Sequence, residues 1–242
     1  MKTQDTTDIK NYIKDFLEIY DSRPIKENSG GTLSVNLFHL YYILKKYKPA
    51  TVIESGVFKG QTTWLINQLL PETKIVAIEP FLQQVVYKGE NTKYITTDFL
   101  NLTNDFISKN KAKETLVIFD DHQDAYKRIM HAEQLGFKNF YFDDNYPEFC
   151  GKRHLSLAAV LNDKYDPGFE IPYGAKENLE NIIETYNILP PVLPYSEYVT
   201  MENSYIEEKP IFEVRDDSLQ VFDNDMHNYR WHTYVSYTSC RS

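Results

Sequence analysis

The residues of this sequence best suited to chemistry are acids that close short apolar runs. Phe119-Asp120-Asp121-His122 and Phe142-Asp143-Asp144-Asn145 each follow such a run. Where two runs of this kind pair as neighbouring strands, their ends lie about 4.8 Å apart. Four carboxylates that close raise one another's pKa values unless a cation compensates. Hard oxygen ligands suit Mg²⁺, Ca²⁺ or Mn²⁺ rather than zinc. His122 stands two residues beyond Asp120, and an imidazole titrates near neutrality and can take a hydroxyl proton. The competing expectation is that the acids cap the helices that follow, a role open to Asp121 or Asp124.

A second constellation lies upstream. Glu54-Ser55-Gly56-Val57-Phe58-Lys59-Gly60 places an acid and two glycines at the exit of the apolar run Thr51–Ile53. Glycine there lets the chain turn tightly and approach a ligand closely, and in a doubly wound sheet such a turn opens onto the nucleotide crevice. The spacing Glu-x-Gly-x-x-x-Gly is not the dinucleotide fingerprint. Glu79 ends the next apolar run about 20 residues on, where an acid commonly holds ribose hydroxyls. Asp98 ends a third, after Tyr94–Thr96.

The Glu54–Gly60 stretch resembles the first motif of class I S-adenosylmethionine-dependent methyltransferases, and the resemblance extends from about Ala50 to Pro147. It implies that Glu54, Gly56, Gly60, Glu79 and Asp98 bind S-adenosyl-L-methionine, with Asp98 near the adenine amino group. The two acidic pairs resemble a narrower group, the macrocin-type metal-dependent sugar O-methyltransferases and their cephalosporin-hydroxylase-like relatives. By that resemblance Asp120, Asp143 and Asp144 are metal ligands, for Mg²⁺ or another divalent cation. Asp120 and His122 become the catalytic pair, with His122 as general base. The usual Asp-Gly-Asp of those relatives reads Asp120-Asp121-His122 here. The implied reaction is methyl transfer to a hydroxyl of a small molecule, a sugar or other secondary metabolite. Two alternatives stand beside it: a nicotinamide-dependent enzyme, and a non-catalytic Rossmann-like binding or scaffold protein.

These residues need a scaffold that sends strand ends to one edge. Short apolar runs at Thr51–Ile53, Lys74–Ile78, Tyr94–Thr96, Leu116–Phe119 and Asn139–Phe142 alternate with helical patterns near Thr62–Leu70, Leu100–Lys109 and Ala125–Leu135. That order predicts an α/β fold, a three-layer α/β/α Rossmann-like doubly wound sheet. Helices are expected near Leu155–Leu161 and Lys176–Tyr186. Strands at Glu197–Met201, Ile211–Arg215 and His232–Tyr237 are expected to make an antiparallel edge near the C-terminus. Ahead of the sheet, residues 1–48 read as an N-terminal helical cap, with Ile9, Ile13, Phe16, Leu17 and Tyr20 on one face and Leu37–Leu44 continuing after the Asn28–Gly31 break. Residues 49–242 form the cofactor-binding domain with an irregular C-terminal segment. The Asn28–Gly31 break is either a lid over the cofactor or an ordinary loop.

Composition narrows the partners. The 242 residues carry a net charge of −9 with no basic run, which disfavours nucleic acid. Cys150 and Cys240 form neither a CxxC pair nor a zinc spacing, as in a reducing compartment. No signal core and no apolar run of membrane length is visible, so the expectation is a cytoplasmic protein without a membrane partner, homo-oligomerisation being open. The 19 Tyr and 14 Phe fill half-buried surface or line a ligand cleft. Lys152-Arg153-His154 reads as a solvated loop or a site for an anionic group on the acceptor, and His39 as a packed helix residue.

Overall fold

The computed structural model describes residues 1–3, 5–103, 114–145, 155–163, 168–194, 209–214, 217–222, 224 and 236–241. After a 3-10 turn at Ile9–Tyr12, the chain forms α1 (Ile13–Asp21), α2 (Ser34–Tyr47), β1 (Thr51–Ser55), α3 (Gln61–Leu69), β2 (Lys74–Ile78) and β3 (Thr92–Ile95). There follow β4 (Thr115–Phe119), α4 (Ala125–Gln134), β5 (Asn139–Phe142), α5 (Leu157–Leu161), α6 (Ala175–Ile182), β6 (Ile183–Ile188) and β7 (Ser236–Cys240). Seven strands pair in the order β3-β2-β1-β4-β5-β7-β6. All run parallel except β7, which lies antiparallel between β5 and β6. This is the predicted doubly wound sheet, with the reversed strand inserted next to the edge rather than forming it.

Parallel strands covered on both faces read as continuous apolar runs, and every residue of β4, Thr-Leu-Val-Ile-Phe, is buried. Alternate side chains serve opposite faces. Val52, Leu116 and Tyr141 join α1, α2 and α3 in one core, whereas Ile53, Val117 and Phe140 join α4, α5 and α6 in the other. Within α2 every residue from Ser34 to Leu44 is buried, the polar Ser34, Asn36 and His39 included. The N-terminal helices are thus continuous with the core of the sheet. The helix stops where Lys48 turns left-handed at φ 44° just before Pro49.

Three expected elements differ. The helix expected over Lys176–Tyr186 ends at Ile182, and Ile183–Ile188 becomes β6 because it gains hydrogen-bonded partners in β7. Near Leu100 there is a 3-10 turn at Phe99–Asn101, Leu102 and Thr103 are not helical, and the rest of the expected helix lies outside the described residues. Ile211–Val214 is not a strand, although Ile211 N–H and Phe212 N–H donate to Pro191 and Val192 carbonyls at 2.8 and 3.1 Å. The strand at the C-terminal end is Ser236–Cys240. The run Glu197–Met201, the first residues of the expected His232–Tyr237 strand, Cys150 and Lys152-Arg153-His154 fall outside the described residues. Among the described residues no helix is long and apolar enough to cross a membrane.

Candidate cofactor cleft and cation centre

The carboxyl ends of β1, β2, β3 and β4 open onto one cavity of about 320 Å³, within the usual size of a small-molecule site. It lies where the strand order reverses between β1 and β4, the place where open α/β sheets bind ligands. Its floor is set by the ladder running on past the strands. Gly56 N–H donates to Ile78 O at 3.0 Å, Glu79 N–H to Ile95 O at 3.1 Å and Asp120 N–H to Ser55 O at 2.9 Å.

Gly56 is required where it stands. Its φ is +90°, and a Cβ would lie 2.1 Å from the Asp120 carbonyl oxygen. The glycine therefore allows the β1 and β4 exits to cross closely, and its bare backbone is part of the cavity wall. Gly60, at φ +93°, meets the Tyr87 carbonyl instead and starts α3 outside the cavity lining. Glu54 is fully buried and likewise not on the lining; its Oε2 accepts from the Thr63 hydroxyl at 2.6 Å. Burial pushes its pKa up to about 8.

Glu79 is on the lining. Its Oε2 accepts from Val57 N–H and Phe58 N–H at 3.1 and 2.9 Å, and Oε1 from Phe81 N–H at 2.9 Å. Oε1 so keeps a lone pair for a ligand hydroxyl. Asp98 also lines the cavity, but Arg128 holds both its oxygens and Leu100 N–H donates to Oδ1. These Arg128 hydrogen bonds hold the Asp98 carboxyl below the usual range. The recessed Glu79, the bare backbone at Gly56 and the cavity size fit a nucleoside-bearing cofactor, with Asp98 fixed in place by Arg128.

Next to this cleft lies the acidic centre. β4 pairs with β5 so that Phe119 stands opposite Phe142, and Asp143 N–H donates to Phe119 O at 3.0 Å. The two acidic pairs therefore meet. Asp120, His122 and Asp144 each offer a ligand atom within 4.8 Å of one another. His122 Nδ1 contacts Asp144 Oδ2. His122 reaches this position in the left-handed region, at φ 52°, a conformation uncommon for a residue with a side chain and a frequent companion of sites.

The two members of each pair have different surroundings. Asp121 faces away, accepting from Ser55 Oγ at 2.6 Å and Arg128 Nε at 3.0 Å. Asp143, expected as a ligand, is buried against the Tyr141 hydroxyl and is not in the three-residue group. Burial first, then the charge of Asp144, raises its pKa to about 7. Burial and the charges of Asp143 and Asp144 hold the Asp120 carboxyl well above its ordinary range. Hydrogen bonding to Asp144 raises the His122 imidazole. A hard cation would relieve this crowding, and the oxygen-rich donor set fits one.

Sequence reasoning did not single out Thr32, Ser55 or Arg128. Thr32 Oγ1 donates to Asp120 Oδ2 at 2.9 Å. Arg128, buried on α4, bridges Asp98 and Asp121. Asp124 is a helix cap, accepting from Lys127 N–H at 3.0 Å. His39 is packed in α2, its Nε2 2.9 Å from Pro190 O.

No protein-family model matches the chain, and no curated protein does. Solved structures are similar in fold. The O-methyltransferase TomG from Streptomyces achromogenes, involved in tomaymycin synthesis and solved with SAM, is 11% identical. That match covers 99% of this chain and 92% of TomG at a TM-score of 0.51. The plantazolicin methyltransferase BamL, solved with SAH, is 10% identical over 98% of this chain and 99% of its own, at a TM-score of 0.49. A CmcI structure with SAH is 19% identical at a TM-score of 0.37; there the match covers 46% of this chain and 60% of CmcI, less than two thirds of that protein's length. With its seven-stranded sheet and single reversed strand, the chain has the fold of class I S-adenosylmethionine-dependent methyltransferases.

Proposed function

We propose that this protein transfers a methyl group from S-adenosyl-L-methionine to a hydroxyl of a small molecule with the help of a divalent cation. One observation carries the reading: Asp120 and His122 belong both to the wall of the cofactor-sized cleft and to the three-residue ligand group. A methyl donor and a cation-bound acceptor would thus be neighbours, which is the positioning that such a displacement needs. When bound, the cofactor supplies an electrophilic methyl group and the cation lowers the pKa of the acceptor hydroxyl.

The chain's own residues do the rest. Glu79 and the Gly56 backbone hold the nucleoside and amino-acid portions of the cofactor, and Arg128 keeps Asp98 at the cleft edge. Asp120 and Asp144 hold the cation, Asp143 adds negative charge from behind them, and His122 takes the acceptor's proton. A second reading, favoured by the distance of the ring from both carboxylates, makes His122 the third ligand. The net charge of −9 supports a small acceptor rather than nucleic acid.

Calorimetry with S-adenosylhomocysteine tests the first half, and Mn²⁺ titration of chelator-treated protein tests the second. The expected result is micromolar cofactor binding, on the order of −8 kcal/mol, and a Mn²⁺ affinity weakened by Asp144→Asn. Binding of a nicotinamide dinucleotide in place of S-adenosylhomocysteine would overturn the assignment.

A further inference from the structure

The geometry points to Thr32 as the positioning residue of the cation centre, a hydroxyl that fixes the orientation in which the Asp120 carboxylate meets the ion. This rests on the function proposed above.

Thr32 belongs to the loop ahead of α2, far from Asp120 in sequence, and the loop is built to hold it. Gly31 N–H donates to Asn28 O at 2.9 Å, Asn28 Nδ2 donates to Thr32 O at 3.0 Å, and Lys59 Nζ donates to Glu27 O at 2.7 Å. Gly31 packs so tightly against Asn28 and Phe58 that a Cβ would come within 2.8 Å of both side chains. The next residue, Thr32, is thereby placed beside the carboxylate.

Its hydroxyl has a single proton. Oγ1 lies 2.9 Å from Asp120 Oδ2 and 3.1 Å from Thr62 Oγ1. With a cation bound Asp120 would be ionised and able only to accept, so there the Thr32 proton goes to Asp120. Thr62, itself buried, must then donate to Thr32. The chain Thr62 to Thr32 to Asp120 has one direction, and successive hydrogen bonds of this kind strengthen one another. One oxygen of Asp120 is engaged and the plane of the carboxylate is set, which fixes how the side chain is presented to the ion. Partners of this type orient ligands and typically change metal affinity 10- to 100-fold.

Mn²⁺ binding to chelator-treated protein, followed by the paramagnetic resonance signal of the free ion, tests this in wild type, Thr32→Val and Thr32→Ser. S-adenosylhomocysteine affinity is measured on the same samples by calorimetry. Thr32→Val keeps the shape and removes the donor; it should weaken Mn²⁺ binding about tenfold or more and leave cofactor affinity within about threefold. Thr32→Ser restores the donor and should recover most of the Mn²⁺ affinity. Mn²⁺ affinity in Thr32→Val equal to wild type would overturn the assignment, as would an equal loss of both ligands, which marks a general structural role. Failure of the wild type itself to bind Mn²⁺ overturns the cation centre and this inference together.

Discussion

Arg128 grips Asp98 by two hydrogen bonds of 2.7 Å each, and the same guanidinium reaches Asp121 at 3.0 Å. With Ser55 donating to Asp121, a polar chain crosses the cleft floor and joins the exits of β1, β3 and β4. Arg presents a planar fork that can serve two carboxylates at once, which a lysine ammonium cannot do.

Arg128→Met should therefore cost stability although it keeps much of the side-chain volume. Removing one member of a buried pair typically costs about 3–5 kcal/mol. Asp98 is 48% exposed, so water will screen that half, and the expected loss is about 2–3 kcal/mol, mainly from the recessed Asp121. Urea unfolding of the ligand-free protein measures it. A midpoint equal to wild type would mean that the carboxylates relax into solvent unaided.

Gly56→Val should fail for a reason found at the backbone. A Cβ would press on the Asp120 carbonyl, and φ +90° is hostile to a branched side chain. The loss expected is about 3 kcal/mol or more, visible in thermal unfolding without any cofactor. Were the variant as stable as wild type and merely unable to bind S-adenosylhomocysteine, Gly56 would be only a space-maker for the ligand.

The parallel sheet was legible because β1, β2, β4 and β5 are short apolar runs closed by acids, and the same feature marked the cleft. Thr32 carried no such sign. It contacts a residue 88 positions away, and no local pattern reports a partner at that distance. Arg128 sits in a helix beside Lys127 and resembles any solvated basic residue until Asp98 and Asp121 are placed around it. β6 was obscured because Ile182 and Ile183 continue a helical spacing, while the strand that claims Ile183 arrives more than 50 residues later. The grouping of Asp120 with Asp144 was not legible, because alternation continued past Phe119 and Phe142 would have set Asp120 beside Asp143.

Glu54 gives a pH signature of its own. Its carboxyl is buried, with a pKa of about 8 against an ordinary 4.5, so between those values the native state binds more protons than the unfolded chain. Its contribution is complete below about pH 4.5 and is lost as pH rises through about 8. Glu54→Gln, which stays neutral, should lack that loss. Thermal unfolding of ligand-free wild type and variant at pH 5, 7 and 9 should show the difference moving in favour of the variant as pH rises. A constant difference would mean that the carboxyl ionises at no cost in its buried setting.

His122 decides how the proton leaves the acceptor. The ring is 61% exposed and its Nδ1 faces Asp144, so a neutral imidazole with its proton on Nδ1 carries its basic lone pair on Nε2. The hydrogen bond to Asp144 raises its pKa, so without a cation the neutral form needs a higher pH than in an ordinary histidine. A cation at Asp144 competes for that carboxylate and repels the ring proton, restoring the neutral form at lower pH. The rising limb of rate against pH should therefore move to lower pH as Mg²⁺ approaches saturation. His122→Ala should lower kcat by roughly 10²- to 10⁴-fold if the ring is the base, with Mn²⁺ affinity retained and the rising limb gone. A Mn²⁺ affinity that falls with kcat would instead make the imidazole the third ligand. Full activity in the alanine variant, with an unchanged pH profile and unchanged Mn²⁺ affinity, would remove His122 from both roles and leave Asp120 and Asp144 to hold the cation alone.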